Sequence, residues 1–333
     1  GFLINNIIIR KAKLHDIPMI MEFIKKNWNA DHILVRDRNF FEWMYTDSQG
    51  CNFIIAVDED ENMLGMEGVI KYNNSNHPDI AGTLWKVVKT PNPRLGMEIG
   101  EKVYEVYQPR CSVAPGLNRK AVRINQILGF LTMSLDHYYI LGQCDTYNIA
   151  LIKEAPQRLV ENTDKKFVLL HSQDEVDEIL DDDLQRQKTP YKDLNYIIHR
   201  YMEHPIYKYD LLGIQEADKP VRSIVIGREV SYGNSYAYKI VDYLGYYEDL
   251  AGTASCFYNF IDEQKYEYID LYCYGIPEEI LKTAGFCKRV ADEIIIPNYF
   301  SPFERKNVDI YFSSSQNEGL NVFRGDGDQD RPS

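Results

Sequence analysis

The stretch between Asn118 and Phe130 constrains the fold of this chain most strongly. Asn118 is a favourable N-cap, because its side chain can accept a hydrogen bond from the first turn of a helix. Gly129 stands where a helix needs a left-handed residue in order to end. The helix between them has one apolar stripe, formed by Ala121, Ile124 and Leu128. A strand at residues 111–114 precedes the helix and an apolar strand begins at Phe130, so the stretch predicts a strand–helix–strand unit.

Length and charge narrow the class of protein. A chain of 333 residues exceeds what one core usually serves, so two domains are expected. The formal net charge of -13 is unfavourable for gripping a nucleic acid backbone, which needs clustered Lys and Arg. We therefore expect a small-molecule partner and no nucleic acid.

The cysteines and the apolar segments indicate a compartment. The six cysteines are scattered, without a Cys-x-x-Cys pair or a His at zinc spacing, which favours reduced thiols and no metal. The start, Gly1 to Ile4, lacks the pattern of a signal peptide, and no apolar run is long enough to span a membrane. The sequence thus predicts a cytoplasmic protein without membrane association.

The order of predicted elements repeats along the chain. The first half reads strand, two helices, three strands, helix, strand, helix and two strands, with the last strands at residues 130–141 and 145–152. The same order begins again at Phe167, and Gly285-Phe286 follow Gly129-Phe130 at an offset of 156 positions. We expect domains at residues 1–153 and 166–333, joined by a polar linker at 154–165.

The opening stretch resembles the last helix of the GNAT (GCN5-related) N-acyltransferases, whose pattern is Asn-x-x-Ala-x-x-x-Tyr-x-x-x-Gly-Phe. Asn118, Ala121, Gly129 and Phe130 match in type and spacing, and Asn125 stands at the Tyr position. The resemblance implies two tandem GNAT-like domains of the α/β (α+β) class. Each would have a mixed, mostly antiparallel sheet flanked by helices, with its fourth and fifth strands splayed around the thioester arm of acyl-coenzyme A.

The resemblance also implies a donor site and its residues, with acetyl-coenzyme A (acyl-coenzyme A) as co-substrate and no metal. The loop at residues 91–100 would present backbone N–H groups and a helix dipole to the pyrophosphate. The corresponding second loop, residues 245–252, carries acids and no Arg, so we expect the second domain to be the degenerate copy that shapes the acceptor pocket. The donor site would be formed by Val88, Arg94, Gly96, Met97, Ile99, Gly100 and Asn118.

Four residues are candidates for acid–base chemistry, which amide-forming acyl transfer requires. Glu67 lies on a predicted strand between Gly65 and Gly68. The other candidates are His137, Tyr138 and Asp242, all on predicted strands. Each of the four could equally be a hydrogen-bonded structural group.

The predicted function is transfer of an acetyl or acyl group to a primary amine of a small polar acceptor, such as an amino sugar of surface polysaccharide synthesis. Two alternatives remain open: an aminoacyl-tRNA-dependent transferase of the peptidoglycan type, and a non-catalytic binding protein. The acidic tail at residues 326–330 either is solvated or lines the substrate cleft, since it lacks the Gly and the bidentate Glu of a calcium loop.

Overall fold

The computed structural model describes residues 6–160, 163–290 and 293–333. Gly1 to Ile4, part of the predicted linker and the start of the strand predicted at 291–296 therefore lie outside the described residues. The chain forms two compact units, residues 1–114 with 331–333 and residues 115–330. The predicted domains, residues 1–153 and 166–333, were defined by the repeated order of elements and not by compactness. They remain a prediction.

Over its described residues the first unit consists of one large sheet, a separate two-stranded ladder and four α-helices. Its elements are β1 (Ile8–Lys11), α1 (Ile17–Asn27), α2 (Ile33–Arg36), α3 (Arg38–Tyr45), β2 (Thr46–Asp47), β3 (Gly50–Cys51), β4 (Phe53–Val57), β5 (Met63–Lys71), β6 (Asp79–Val87), α4 (Leu95–Tyr107) and the start of β7 (Cys111–Leu117). The sheet has the order β1-β4-β5-β6-β7, antiparallel except for the parallel contact of β6 with β7. The buried face of α4 packs on this sheet through Leu95, Ile99, Val103 and Tyr107.

The second unit repeats that order within a longer run of elements. These are α5 (Arg119–Ile127), β8 (Leu131–Ser134), β9 (Asp136–Leu141), β10 (Leu151–Ile152), β11 (Lys165–Leu169), α6 (Gln173–Ile179), α7 (Asp182–Arg186), α8 (Leu194–Ile197), β12 (Asp210–Glu216), β13 (Ile224–Tyr232), β14 (Ser235–Leu244), α9 (Ala254–Gln264), β15 (Tyr268–Tyr274), α10 (Glu278–Thr283), β16 (Cys287–Lys288), β17 (Ile294–Ile295), β18 (Tyr299–Phe300), β19 (Phe303–Glu304), β20 (Tyr311–Ser314) and β21 (Val322–Phe323). The sheet has the order β11-β12-β13-β14-β15-β9-β16, and only β14 and β15 pair in parallel.

The opening stretch of the sequence folds as predicted. The side chain of Asn118 accepts a hydrogen bond from the Ala121 N–H at 2.8 Å, and Gly129 has a φ of +87°. The prediction of a single strand at 130–141 is wrong, however, because Leu135 separates two strands, β8 and β9. β8 then pairs with β20, whereas β9 pairs with β15. Of the strand predicted at 145–152, only β10 forms.

An ion pair fixes the contact between β6 and β7. Arg110 Nε and Nη2 donate to the two carboxylate oxygens of Asp79 at 2.8 and 2.6 Å, and the Asp79 side chain is 1% exposed. Asp79 pairs with Cys111 and Ile80 with Ser112, so the ion pair lies at the start of this short ladder.

We predict that Asp79→Asn lowers the free energy of unfolding by about 2 kcal/mol, because it leaves a partly buried guanidinium without its charge partner. Urea unfolding followed by circular dichroism measures the change. Asp262→Asn is the matched control: Asp262 also binds an arginine, Arg158, through two hydrogen bonds, but its side chain is 46% exposed. A loss of about 1 kcal/mol or less is expected there, and equal losses in the two variants would contradict the assignment.

Candidate functional site

A gap opens between β6 and β7 in the first unit. Among the described residues the parallel ladder ends after Ile80 and Ser112, although β6 continues to Val87. One residue past the ladder, the carbonyl of Val113 accepts a hydrogen bond from the Tyr72 hydroxyl at 2.9 Å. The two strands are thus held together at one end and part at the other, which is the geometry that the sequence predicts.

A β-bulge shapes the β6 side of this gap. Gly68 pairs with Thr83 and Met66 pairs with Lys86, so two residues of β6, Leu84 and Trp85, oppose Glu67 of β5. Leu84 has a φ of +48°, a left-handed conformation that is uncommon for a residue with a side chain. Such bulges redirect side chains and end regular pairing.

Val88, one of the residues expected at the donor site, has its backbone N–H paired within the sheet. This N–H donates to the Leu64 carbonyl at 2.8 Å. Successive N–H groups of a strand point to opposite edges. The N–H of Val87, the preceding residue, therefore faces away from β5 and toward the gap.

Helix α4 begins earlier than predicted, at Leu95, so Met97, Ile99 and Gly100 are helical and not part of a loop. Ile99 is fully buried in the core, and its side chain cannot contact a ligand. Gly96 and Gly100 lie one turn apart, against Trp85, whose Nε1 donates to the Gly96 carbonyl at 3.0 Å. Both glycines thus lie on the side of α4 that packs on β6, where a Cβ would make only ordinary van der Waals contacts. The first turn of α4 still presents backbone N–H groups at its amino-terminal end.

Two cations, Lys89 and Arg94, stand in the segment that joins β6 to α4. Arg94 was predicted and Lys89 was missed, although both are visible in the sequence. Lys86 lies on β6 between Trp85 and Val87, which pack on the α4 side, so its side chain points to the other face of the sheet. All three cations are exposed, and none forms an ion pair within the described part of the chain. Glu98, the acid in the first turn of α4, accepts a hydrogen bond from Asn92 Nδ2 at 3.1 Å. The surface near the wide end of the gap is therefore locally basic on an acidic chain.

Glu67 occupies an unusual position opposite the bulge. Its Oε2 is buried and has no hydrogen-bond partner within the described residues, although the residue as a whole is partly exposed. A Cβ at position 82 would lie 2.5 Å from Glu67 Oε1, so Gly82 leaves the room that the carboxyl group occupies. Burial raises the pKa of Glu67 to about 8. Glu67 is thus suited to exchanging a proton near neutral pH.

His137 and Tyr138 lie on β9 in the core of the second unit. His137 Nε2 is 2.7 Å from Asp270 Oδ2, its Nδ1 accepts from Arg289 Nε at 2.9 Å, and its ring stacks on Tyr272. Burial lowers the pKa of His137 to about 4, against the opposing effect of Asp270. Tyr138 is 3% exposed within the hydrophobic core. Both side chains are therefore enclosed in the protein core, where they stabilise the second unit.

Asp242 is also enclosed in the second unit. Its carboxylate accepts hydrogen bonds from Lys192 Nζ at 2.8 and 3.0 Å and from the Tyr201 hydroxyl at 2.7 Å. Lys192 Nζ is also 2.5 Å from Asp326 Oδ1. Asp242 therefore belongs to a buried ion cluster and not to an open cleft.

The segment 322–325, which leads into the acidic tail, fills the gap between β14 and β15, which diverge after Ile240 and Leu271. Phe323 pairs with Cys273 of β15, and the N–H of Gly325 donates to the Val241 carbonyl of β14 at 2.8 Å. Asp330 anchors the tail through Arg228 and Arg324. The interpretation of the tail as solvated is wrong, and the gap of the second unit is closed by its own chain.

Asn118, which was expected at the donor site, is the N-cap of α5 in the second unit. Asn125, which stands at the Tyr position of the family pattern, lies within the same helix. The Asn118 side chain caps the helix, and Asn125 Nδ2 donates to the Ala121 carbonyl at 2.8 Å. Both side chains thus have local partners. No cluster of His, Cys, Asp or Glu able to hold a metal occurs in the part of the chain that the structure describes. None of the described helices is long and apolar enough to cross a membrane.

Comparison with solved structures identifies the fold. The GCN5-related N-acetyltransferase from Anabaena variabilis is similar over 93% of this chain and 72% of its own, with a TM-score of 0.58 and 10% identity. A probable N-acyltransferase from Enterococcus faecalis is similar over the same shares, with a TM-score of 0.55 and 10% identity. The chain therefore has a GNAT-like fold of mixed sheets flanked by helices, the α/β class that the sequence predicts.

A third similar structure is a fungal β-N-acetylglucosaminidase with a GCN5-related glucosamine N-acetyltransferase region. It has a TM-score of 0.52 and 10% identity, and the similarity covers 93% of this chain and 38% of the fungal chain. No family model matches the sequence, and the comparison with curated proteins found no match.

The raised pKa of Glu67 makes stability depend on pH. The pKa of this carboxyl group rises from 4.5 to about 8 on burial, so the folded chain holds a proton that the unfolded chain has lost between these values. Stability from this group falls as the pH rises from about 4.5 to about 8, by up to about 1.4 kcal/mol per pH unit, and then levels off. We predict that Glu67→Gln removes this decline and is the more stable form at pH 9.

Urea unfolding at a series of pH values measures this dependence. Glu22→Gln, on the exposed face of α1, is the control and is expected to leave the slope unchanged. An identical pH dependence in Glu67→Gln and the unaltered chain would show that the carboxyl group titrates normally.

Proposed function

We propose that this protein is an N-acyltransferase that moves an acetyl or acyl group from acyl-coenzyme A to a primary amine of a small polar acceptor. The observation that carries the proposal is the gap between β6 and β7, which begins at a two-residue ladder and widens toward the amino-terminal end of α4. A thin thioester chain could hydrogen-bond to the strand edges that the divergence leaves without a β partner.

The donor's phosphates have a suitable place at the wide end of the gap. Helix amino termini attract anions through unpaired N–H groups and the helix dipole. The exposed cations Lys89 and Arg94 add positive charge there. This arrangement replaces the glycine-rich loop that the sequence lacks, and it supports acetyl-coenzyme A as co-substrate.

The reaction can be assigned to residues of the first unit. The Val87 N–H would donate to the thioester carbonyl oxygen and stabilise the negative charge that develops there. Glu67 would accept a proton from the acceptor ammonium, directly or through water, so that the amine nitrogen can attack the carbonyl carbon. The carbon–sulfur bond then breaks, and the thiolate takes a proton from the attacking nitrogen by way of solvent. Asn125 cannot supply that proton as a tyrosine would.

The two halves would then have different roles. The repeated element order supports an origin by duplication, with the first copy holding the donor and the second shaping the acceptor pocket. The closed gap between β14 and β15 supports this division, because Phe323 and Gly325 occupy the space that a donor would need. An amino sugar is a reasonable acceptor class, given the glucosamine N-acetyltransferase region in the fungal structure. The net charge supports the absence of nucleic acid.

Isothermal titration with acetyl-coenzyme A tests donor binding. We expect binding in the unaltered chain and an affinity roughly three- to tenfold lower in a Lys89→Ala, Arg94→Ala double variant. Lys26→Ala, which removes an exposed charge from α1, is the control and should bind as the unaltered chain does. Absence of both heat and thermal shift at millimolar acetyl-coenzyme A would overturn the proposal and favour a non-catalytic binding protein.

Release of coenzyme A thiol with glucosamine as acceptor tests the role of Glu67. Glu67→Gln should lower kcat about a hundredfold and leave the affinity for acetyl-coenzyme A unchanged. The rise of kcat/KM toward a pKa near 8 should disappear with it. His137→Gln, in contrast, should affect stability more than the pH profile. If Glu67→Gln kept the pH dependence of kcat/KM of the unaltered chain, Glu67 would be excluded as the base.

A further inference from the structure

A cavity of about 320 Å³ lies among α6, α7 and the start of α8 in the second unit. Asp177 of α6 lines it, together with Gln185 of α7 and Tyr191 and Asp193 in the segment before α8. None of these residues takes part in the proposed acyl transfer. The question is which class of ligand the cavity would accept.

The charge around the cavity is strongly negative. Residues 174–183 contain seven Asp and Glu and no Lys or Arg. Asp177 is exposed and forms no hydrogen bond or ion pair within the described residues. Lys192 also lines the cavity, but its ammonium is bound by the carboxylates of Asp242 and Asp326. The local field therefore favours a cation.

A second, independent observation comes from Gln185. This side chain is 3% exposed, and its Oε1 has no hydrogen-bond donor in the described part of the chain. Its Nε2 faces the Lys192 carbonyl at 3.5 Å. A buried amide oxygen without a donor is destabilising, so a ligand that supplies an N–H to Gln185 would remove that cost.

Two residues that line the cavity, Asp182 and Tyr191, already bind a cationic side chain of the protein, that of Arg186. The Arg186 guanidinium lies 2.7 Å from Asp182 Oδ2 and 4.7 Å from the ring centroid of Tyr191. A carboxylate beside an aromatic face is the arrangement by which proteins bind ammonium and guanidinium groups. A bare metal ion fits less well, because the described residues offer no cluster of three metal-binding side chains here.

We propose that this cavity binds a small aliphatic diammonium ion. One ammonium group donates to the Asp177 carboxylate and to Gln185 Oε1, and the second lies against Asp182 and Asp193, the other acids that line the cavity. The alkyl chain between them packs on Leu180 and Leu194, which also line the cavity. This binding site does not depend on the proposed acyl transfer.

Isothermal titration of the full chain with cadaverine, without any acyl donor, tests the proposal. Asp177→Asn and Gln185→Met should each weaken binding about tenfold, since each removes one hydrogen-bond acceptor of the ammonium group. Glu178→Gln is the matched control, because it removes the same charge from the neighbouring position of α6, which does not line the cavity. Its dissociation constant should change less than twofold. Pentylamine, with one ammonium group, should bind about tenfold more weakly than cadaverine.

Three results would overturn the proposal. The first is an absence of binding at millimolar cadaverine. The second is an equal effect of Asp177→Asn and Glu178→Gln, which would indicate a diffuse negative field. The third is complete loss of binding at 0.15 M salt, the behaviour of screened surface charges. A chain that binds cadaverine but not acetyl-coenzyme A would refute the proposed function alone, so the two failures are distinguishable.

Discussion

The ion pair between Arg110 and Asp79 holds the narrow end of the gap on which the candidate site depends. Two residue pairs of parallel ladder follow it, and then the strands part. A longer ladder would close the gap, and loss of the ladder would separate β7 from the sheet. The bulge at Leu84 acts from the other side, because it alters the register of β6 against β5. The position of each N–H along the gap follows from these two local features.

The second unit shows what happens when the same divergence is filled. Its strands β14 and β15 also pair over only a few residues, but β21 adds to β15 and Gly325 bonds to β14. Burial alone would raise the pKa of Asp330, yet Arg228, Arg324 and Arg200 lower it well below its usual range. The carboxylate is thus charged and tightly held at neutral pH. The order of elements is repeated, but a free strand edge for a ligand is not.

Local signals in the sequence predicted local structure well. The N-cap at Asn118, the left-handed Gly129 and the repeated order of elements were all readable, since each depends on neighbouring residues. The direction of the Val88 N–H was not readable, because it depends on the bulge and on the positive φ at Leu84, a residue type that gives no sign of it. Gly100 was interpreted as a loop residue, whereas it lies within α4, against Trp85 of β6. Contacts between elements that are distant in the sequence decided both cases.

The candidate acids and bases show that the burial of a side chain indicates a catalytic role only when its hydrogen-bond and ion-pair partners are considered too. His137 and Asp242 are as buried as any catalytic group, but charged neighbours satisfy them, and this is how a protein stabilises a polar core. Glu67 is different, because its Oε2 has no hydrogen-bond partner among the residues that the structure describes, and Gly82 keeps its space open. An unpaired buried carboxyl group costs stability. An apolar side chain at position 67, packed against the neighbouring strands, would avoid that cost. Retaining such a group beside a strand gap is easier to explain by a proton that must move than by packing.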